Sequence, residues 1–117
     1  MIHIVEDDAA VRESLKLLLE ANGFKVETFA SGDDLYACAN DGCDCLILDV
    51  NLPGDDGFEV LAKLRGRGRQ SPAIFMSGAA NATTRAKAAR ANAVAFFDKP
   101  VPPKELLAAI ARATARK

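Results

Sequence analysis

Four apolar runs in this chain end on residues that can do chemistry. "IHIV" leads into Glu6, Asp7 and Asp8, "CLIL" into Asp49, "AIFM" into Ser77, and "AVAFF" into Asp98, Lys99 and Pro100. Carboxylates brought to one place repel, which costs stability unless a cation neutralises them. A hard divalent ion with oxygen ligands is the natural solution. Mg²⁺ fits, because it accepts a few carboxylates while keeping several waters, and Mn²⁺ could substitute. Those waters leave room for phosphate oxygens. A carboxylate, a metal, a hydroxyl and an ammonium together describe phosphoryl transfer, where catalysis is positioning plus charge neutralisation. In that chemistry Asp49 is the nucleophile and an aspartyl phosphate is the product.

These side chains meet only if the chain folds to bring the run ends together. Segments 2–5, 25–29, 45–49, 73–77 and 93–97 have strand length and, mostly, strand composition. Helical patterns lie between them. Over 9–22, Val11, Leu15, Leu18 and Leu19 form one stripe, with Gly23 placed as a stop. Ser31 is the expected N-cap of a helix around Leu35. Phe58, Leu61, Ala62 and Leu64 form a third stripe, closed by the loop "RGRGRQSP". "ATTRAKAARAN" is a fourth helix of high intrinsic propensity, and Pro103 is the expected first residue of a fifth carrying Leu106, Leu107 and Ile110. A βα unit repeated five times predicts a doubly wound, five-stranded parallel sheet with helices on both faces. Ligands of such sheets bind outside the carboxyl ends of the strands, where strand order reverses.

The 117 residues suit one domain, residues 1–117, with no linker or low-complexity tract. No run approaches the roughly 20 apolar residues of a membrane span, and "MIHIVEDD" lacks the basic head of a signal peptide, so a cytoplasmic protein is expected. Cys38, Cys43 and Cys45 make neither a disulfide framework nor a four-ligand metal set, and are expected as small buried hydrophobes. The net charge of −1 disfavours a nucleic-acid or membrane surface. The charge is nonetheless uneven. Residues 1–59 hold 14 acidic and 3 basic side chains, whereas residues 60–117 hold 2 and 12, which makes either a bipolar molecule or a basic docking face on the later helices.

"HIVEDD", "ILDVNLPGDDGFEVL", "MSGA" and "FFDKP" together resemble the receiver domain of bacterial two-component response regulators, over essentially the whole chain. The fold implied is the flavodoxin-like three-layer sandwich of CheY-like proteins. The N-terminal half and "FFDKP" look most like receivers of nitrogen-fixation regulators. The resemblance implies that Asp49 accepts the phosphoryl group from a histidine kinase or a histidine phosphotransfer protein. It implies that Asp7 and Asp49 bind Mg²⁺, that Glu6 holds it through water, and that the Asn51 backbone carbonyl completes the set. Ser77 matches the switch hydroxyl, Lys99 the lysine that pairs with the phosphoryl group, and Phe96 the switch aromatic. Pro100 matches a proline that follows a cis peptide bond. Pro53 and Gly57 match the turn after the acceptor strand. A readout through the fourth helix, fifth strand and fifth helix, around Arg85, Lys87, Arg90 and Phe96, is implied, with homodimerisation as one form of it. Such a domain catalyses only its own phosphorylation and dephosphorylation.

Three positions depart from the commonest family pattern: Glu6 for aspartate, Ser77 for threonine and Phe96 for tyrosine. The chain ends at Lys117, where an output domain would begin; a stand-alone receiver and part of a longer regulator both fit. Other readings compete. Asp8, and Asp7 with it, could cap the first helix, and Asp55 and Asp56 read as turn or cap residues. Phe97 reads as core, His3 as a satisfied core or edge histidine, and "RGRGR" as a solvated loop. At the level of function, a receiver-like interaction module without phosphorylation is one rival. A haloacid-dehalogenase-like phosphatase is another, although Asn51 stands where such enzymes carry their second aspartate.

Overall fold

The computed structural model describes residues 1–38 and 43–115. Lys117, the expected end of the domain, lies outside them. The elements are β1 (Ile2–Val5), α1 (Ala9–Ala21), β2 (Val26–Phe29), α2 (Gly32–Tyr36), β3 (Cys45–Asp49), α3 (Gly57–Gly66), β4 (Ala73–Ser77), α4 (Ala82–Arg90), β5 (Ala95–Asp98) and α5 (Pro103–Thr114). The strands form one parallel sheet in the order β2-β1-β3-β4-β5.

Strand burial follows position in the sheet. β1, β3 and β4 are covered on both faces and every residue in them is buried, which is why they read as unbroken apolar runs. The edge strands β2 and β5 are only partly buried. On one face Leu46, Leu48 and Phe75 pack against Leu35 of α2, Val60, Leu61 and Leu64 of α3 and Ala88 of α4. On the other, Ile2, Ile4, Ile47, Ile74 and Met76 pack against Leu15 and Leu19 of α1 and Leu106, Ala109 and Ile110 of α5. Full burial of each large side chain contributes roughly 1.5–3 kcal/mol, so the two layers together fix the sheet register.

The helix ends are set locally. Asp8 caps α1 by accepting from the backbone N–H groups of Ala10 and Val11, and Gly23 follows its C-cap with a φ of 89°. Ser31 caps α2, and Asp56 with Glu59 forms a capping box on α3. Asn81 and Thr84 form another on α4. The fifth strand is displaced towards the carboxyl side of its expected span of 93–97. Val94 N–H bonds the Ala73 carbonyl before the ladder begins, and Asp98 pairs with Ser77 at its end.

Two sequence expectations need correction. Cys45 is buried, but Cys38 and Cys43 are only partly so, because both lie outside the strands. His3 is in the core, with its ring edge-on to Phe29 at 5.3 Å, yet neither ring nitrogen has a hydrogen-bond partner among the described residues. Glu27, at 3.6 Å from Nε2, is too distant to satisfy it.

Candidate functional site

Strand order reverses between β1 and β3: the chain places β2 outside β1, then crosses to begin the other half of the sheet. The carboxyl ends of these strands therefore form the expected crevice. Asp49 closes β3 and is 2 % exposed. Its Oδ1 accepts from the Asn51 backbone N–H at 3.0 Å, and its Oδ2 accepts from Lys99 Nζ at 2.9 Å. Lys99 Nζ also pairs with Glu6 Oε1. Glu6 is fully buried, and its Oε2 accepts from the Asp8 backbone N–H at 3.0 Å.

Carboxylate oxygens of Glu6, Asp7 and Asp49 lie within 4.8 Å of one another. All the donors are oxygens, and Asp7 is exposed on the open side, which fits a hard divalent cation retaining water. The electrostatics point the same way. Burial pushes the Glu6 carboxyl up to about 7 despite its hydrogen bond to Lys99, with the neighbouring Asp49 adding to the rise. Burial alone would lower Lys99, but its bonds to Glu6 and Asp49 outweigh that and hold the ammonium above its usual range. The single lysine thus compensates only part of the acidic cluster.

Ser77 ends β4, 1 % exposed. Its Oγ accepts from Asn51 Nδ2 at 3.2 Å and from the Ala79 backbone N–H at 3.1 Å. The peptide bond between Lys99 and Pro100 is cis, and the Lys99 N–H bonds the Ser77 carbonyl at 2.9 Å. That bond ties the lysine to the end of β4. A methyl at Gly57 would meet the Asp49 carbonyl oxygen at 2.5 Å, so the start of α3 presses directly on the strand end that carries the acid.

Glu6, Asp7, Asp49, Lys99 and Ser77 are thus gathered at one end of the sheet, with Asn51 bridging Asp49 and Ser77. Phe96 stands apart, half-buried against the α2–α4 core, with the Arg85 guanidinium 5.2 Å from its ring centre. Arg85 is itself held by both Asp98 carboxylate oxygens, at 2.8 and 2.9 Å. Phe97 packs into the α1–α5 core. Asp56 is a cap and Asp55 lies in the bend before it, as expected; the Asp55 carboxylate also accepts from the Tyr36 hydroxyl at 2.8 Å and from Lys63 at 2.7 Å. Sequence reasoning missed Arg12, whose Nη1 donates to the Glu6 carbonyl at 2.8 Å and fixes the β1–α1 turn. Its position in the first turns of the helix after the acidic run was the available signal. The Asn51 side chain was not legible either, because its partner Ser77 lies on another strand, 26 residues away in sequence.

A family model described as "Response regulator receiver domain" matches residues 2–111. The response regulator protein TodT of Pseudomonas putida is 42 % identical over 111 residues, covering 94 % of this chain and 49 % of its own length. The chain spans about half the length of the curated relatives it matches. Among solved structures, a CheY-like response regulator receiver domain protein from Methanospirillum hungatei JF-1 has a TM-score of 0.88 at 31 % identity, over 97 % of this chain and 92 % of that one. FixJ-N has a TM-score of 0.88 at 32 % identity, over 99 % and 94 %.

Proposed function

The chain belongs to the response regulator receiver family, and on that premise we propose that it is a phosphorylation-dependent signalling switch acting in the cytoplasm. An Asp49 oxygen attacks the phosphorus of a phosphohistidine on a histidine kinase or phosphotransfer protein. The P–N bond breaks, the imidazole leaves, and an acyl phosphate remains on Asp49. The observation that carries this reading is the double engagement of Lys99. It pairs with Asp49 and Glu6 beside Asp7, so a charge that will meet a phosphoryl oxygen already stands at the acceptor.

Glu6, Asp7, Asp49 and the Asn51 carbonyl would hold Mg²⁺, which supplies charge neutralisation to the transferring phosphoryl group. Lys99 orients the acceptor oxygen and then one phosphoryl oxygen. Ser77 turns its hydroxyl from Asn51 and Ala79 towards the phosphate. Each new charge-assisted bond contributes about 1.5–3 kcal/mol before ordering costs. Movement of Ser77 makes room for Phe96 to leave Arg85 and turn inward, changing the α4–β5–α5 surface that binds a partner or a second copy. A net bias of about 2–3 kcal/mol shifts such an equilibrium roughly 30- to 150-fold. The domain acts on no substrate but its own aspartate. Asn51 offers no carboxylic acid for the phosphatase alternative.

Fluoroberyllate with Mg²⁺, which mimics an acyl phosphate, tests the switch. Amide resonances of Ser77, Arg85 and Phe96 should shift in the wild type. In Lys99→Ala the shifts should stay near Asp49. Shifts confined to the acidic pocket in the wild type would contradict the coupling.

A further inference from the structure

The opposite end of the sheet holds a second polar cluster. Its three cysteines have different surroundings. Cys45, within β3, is fully buried, and burial pushes its thiol up to about 12. Cys38, just after α2, has its sulfur 3.9 Å from Glu27 Oε2, a carboxylate that repels an anionic sulfur. Cys43, partly exposed ahead of β3, sits among cations and a hydroxyl. Arg69 Nη2 donates to its sulfur at 3.7 Å, and its Sγ lies 3.2 Å from Ser71 Oγ. Arg65 brings a second guanidinium to this corner, anchored on the Arg69 and Ser71 carbonyls at 3.0 and 2.8 Å.

Arg69 adds an independent observation: a buried donor left unpaired beside this sulfur. It is 9 % exposed, and its Nε has no hydrogen-bond partner among the described residues. In a guanidinium, Nε–H and Nη2 lie along one edge and act as a two-donor fork. One prong of this fork reaches the Cys43 sulfur, and the other is unused. An oxygen added to that sulfur would supply an acceptor beside the vacant donor.

We propose that Cys43 is an oxidation site whose sulfenate is received by Arg69. The Cys43 sulfur attacks one oxygen of a hydroperoxide and the O–O bond breaks. The departing oxygen takes up the thiol proton and leaves as water or an alcohol. The sulfur is oxidised by two electrons and the peroxide is reduced by two. Arg69 compensates the negative charge of the attacking sulfur, then binds the new oxygen through Nε–H. A small thiol reverses the change: it attacks the oxidised sulfur, releases water, and leaves a mixed disulfide that a second thiol reduces.

The test exposes the folded wild-type chain to hydrogen peroxide with dimedone present throughout, and locates the adduct by fragmentation mass spectrometry. Cys43 should be labelled well ahead of Cys38, with no label on Cys45. Arg69→Gln should slow labelling roughly tenfold, the scale on which cationic neighbours set thiol reactivity, and Arg69→Lys should restore part of the rate. Labelling of Cys38 as fast as Cys43 overturns the proposal, as does an unchanged rate in a folded Arg69→Gln. The wild-type order of labelling decides the matter even if that variant does not fold.

Discussion

The buried acids of the pocket, Asp49 and Glu6, are each held by neighbours that constrain them. Asp49 cannot turn away, because Asn51 N–H and Lys99 engage its two oxygens separately. Glu6 has a longer side chain than the usual aspartate, yet the Asp8 N–H and Lys99 hold its two oxygens as well. The acids, the lysine and the serine were legible in the sequence because strand-end carboxylates are costly without a task. Arg12 and the Asn51 amide were not, because polar side chains near a turn have many local partners and spacing does not select among them. His3 shows the same limit: a lone histidine in an apolar run looks like a satisfied core residue, and whether a partner comes within reach depends on other elements. Burial lowers its proton affinity, assisted by Arg69, while Glu27 opposes the change. A depressed folded value contributes stability above the unfolded value of 6.5, and that stability is lost as the pH falls below it. Urea unfolding at pH 7.5 and 5.5 should therefore show the stability advantage of wild type over His3→Leu shrinking at the lower pH. A difference that stays constant would contradict the burial argument.

Among the elements, the central strands and the long helices were legible, since apolar runs and 3.6-residue stripes reflect burial directly. The edges were less so. β5 was expected at 93–97 and forms at Ala95–Asp98, because pairing with β4 rather than local hydrophobicity decides where an edge strand begins. Contact between elements was least legible of all. Gly57 reads as a turn glycine, but its role is close approach: the first turn of α3 lies against the Asp49 carbonyl, with no room for a methyl. Gly57→Ala should cost about 1–3 kcal/mol in urea unfolding, the usual scale of overpacking. Because the obstacle is strand backbone, it should also weaken acceptance of phosphate at Asp49. Unchanged unfolding and unchanged labelling would show that α3 can shift without moving the strand.

Across the whole molecule, the sheet order turns an uneven sequence into an uneven surface. β2, β1 and β3 come from the acidic half and form one side of the sheet, whereas β4 and β5 come from the basic half and form the other. The halves lie side by side instead of interleaving. The acidic pocket thus sits at the boundary, where Lys99 crosses from the basic side to meet Asp49 and Glu6. Arg85, Lys87 and Arg90 are exposed on α4, Arg85 held by Asp98 and Lys87 over the Phe58 ring. The decisive property is whether the assembled pocket phosphorylates its own aspartate. Intact mass after incubation with a small acyl phosphate and Mg²⁺ tests this most directly. Wild type should gain one labile phosphoryl group, while Asp49→Asn and wild type in excess chelator should gain none. Equal labelling of wild type and Asp49→Asn, or none in either while Mg²⁺ still binds, would contradict it.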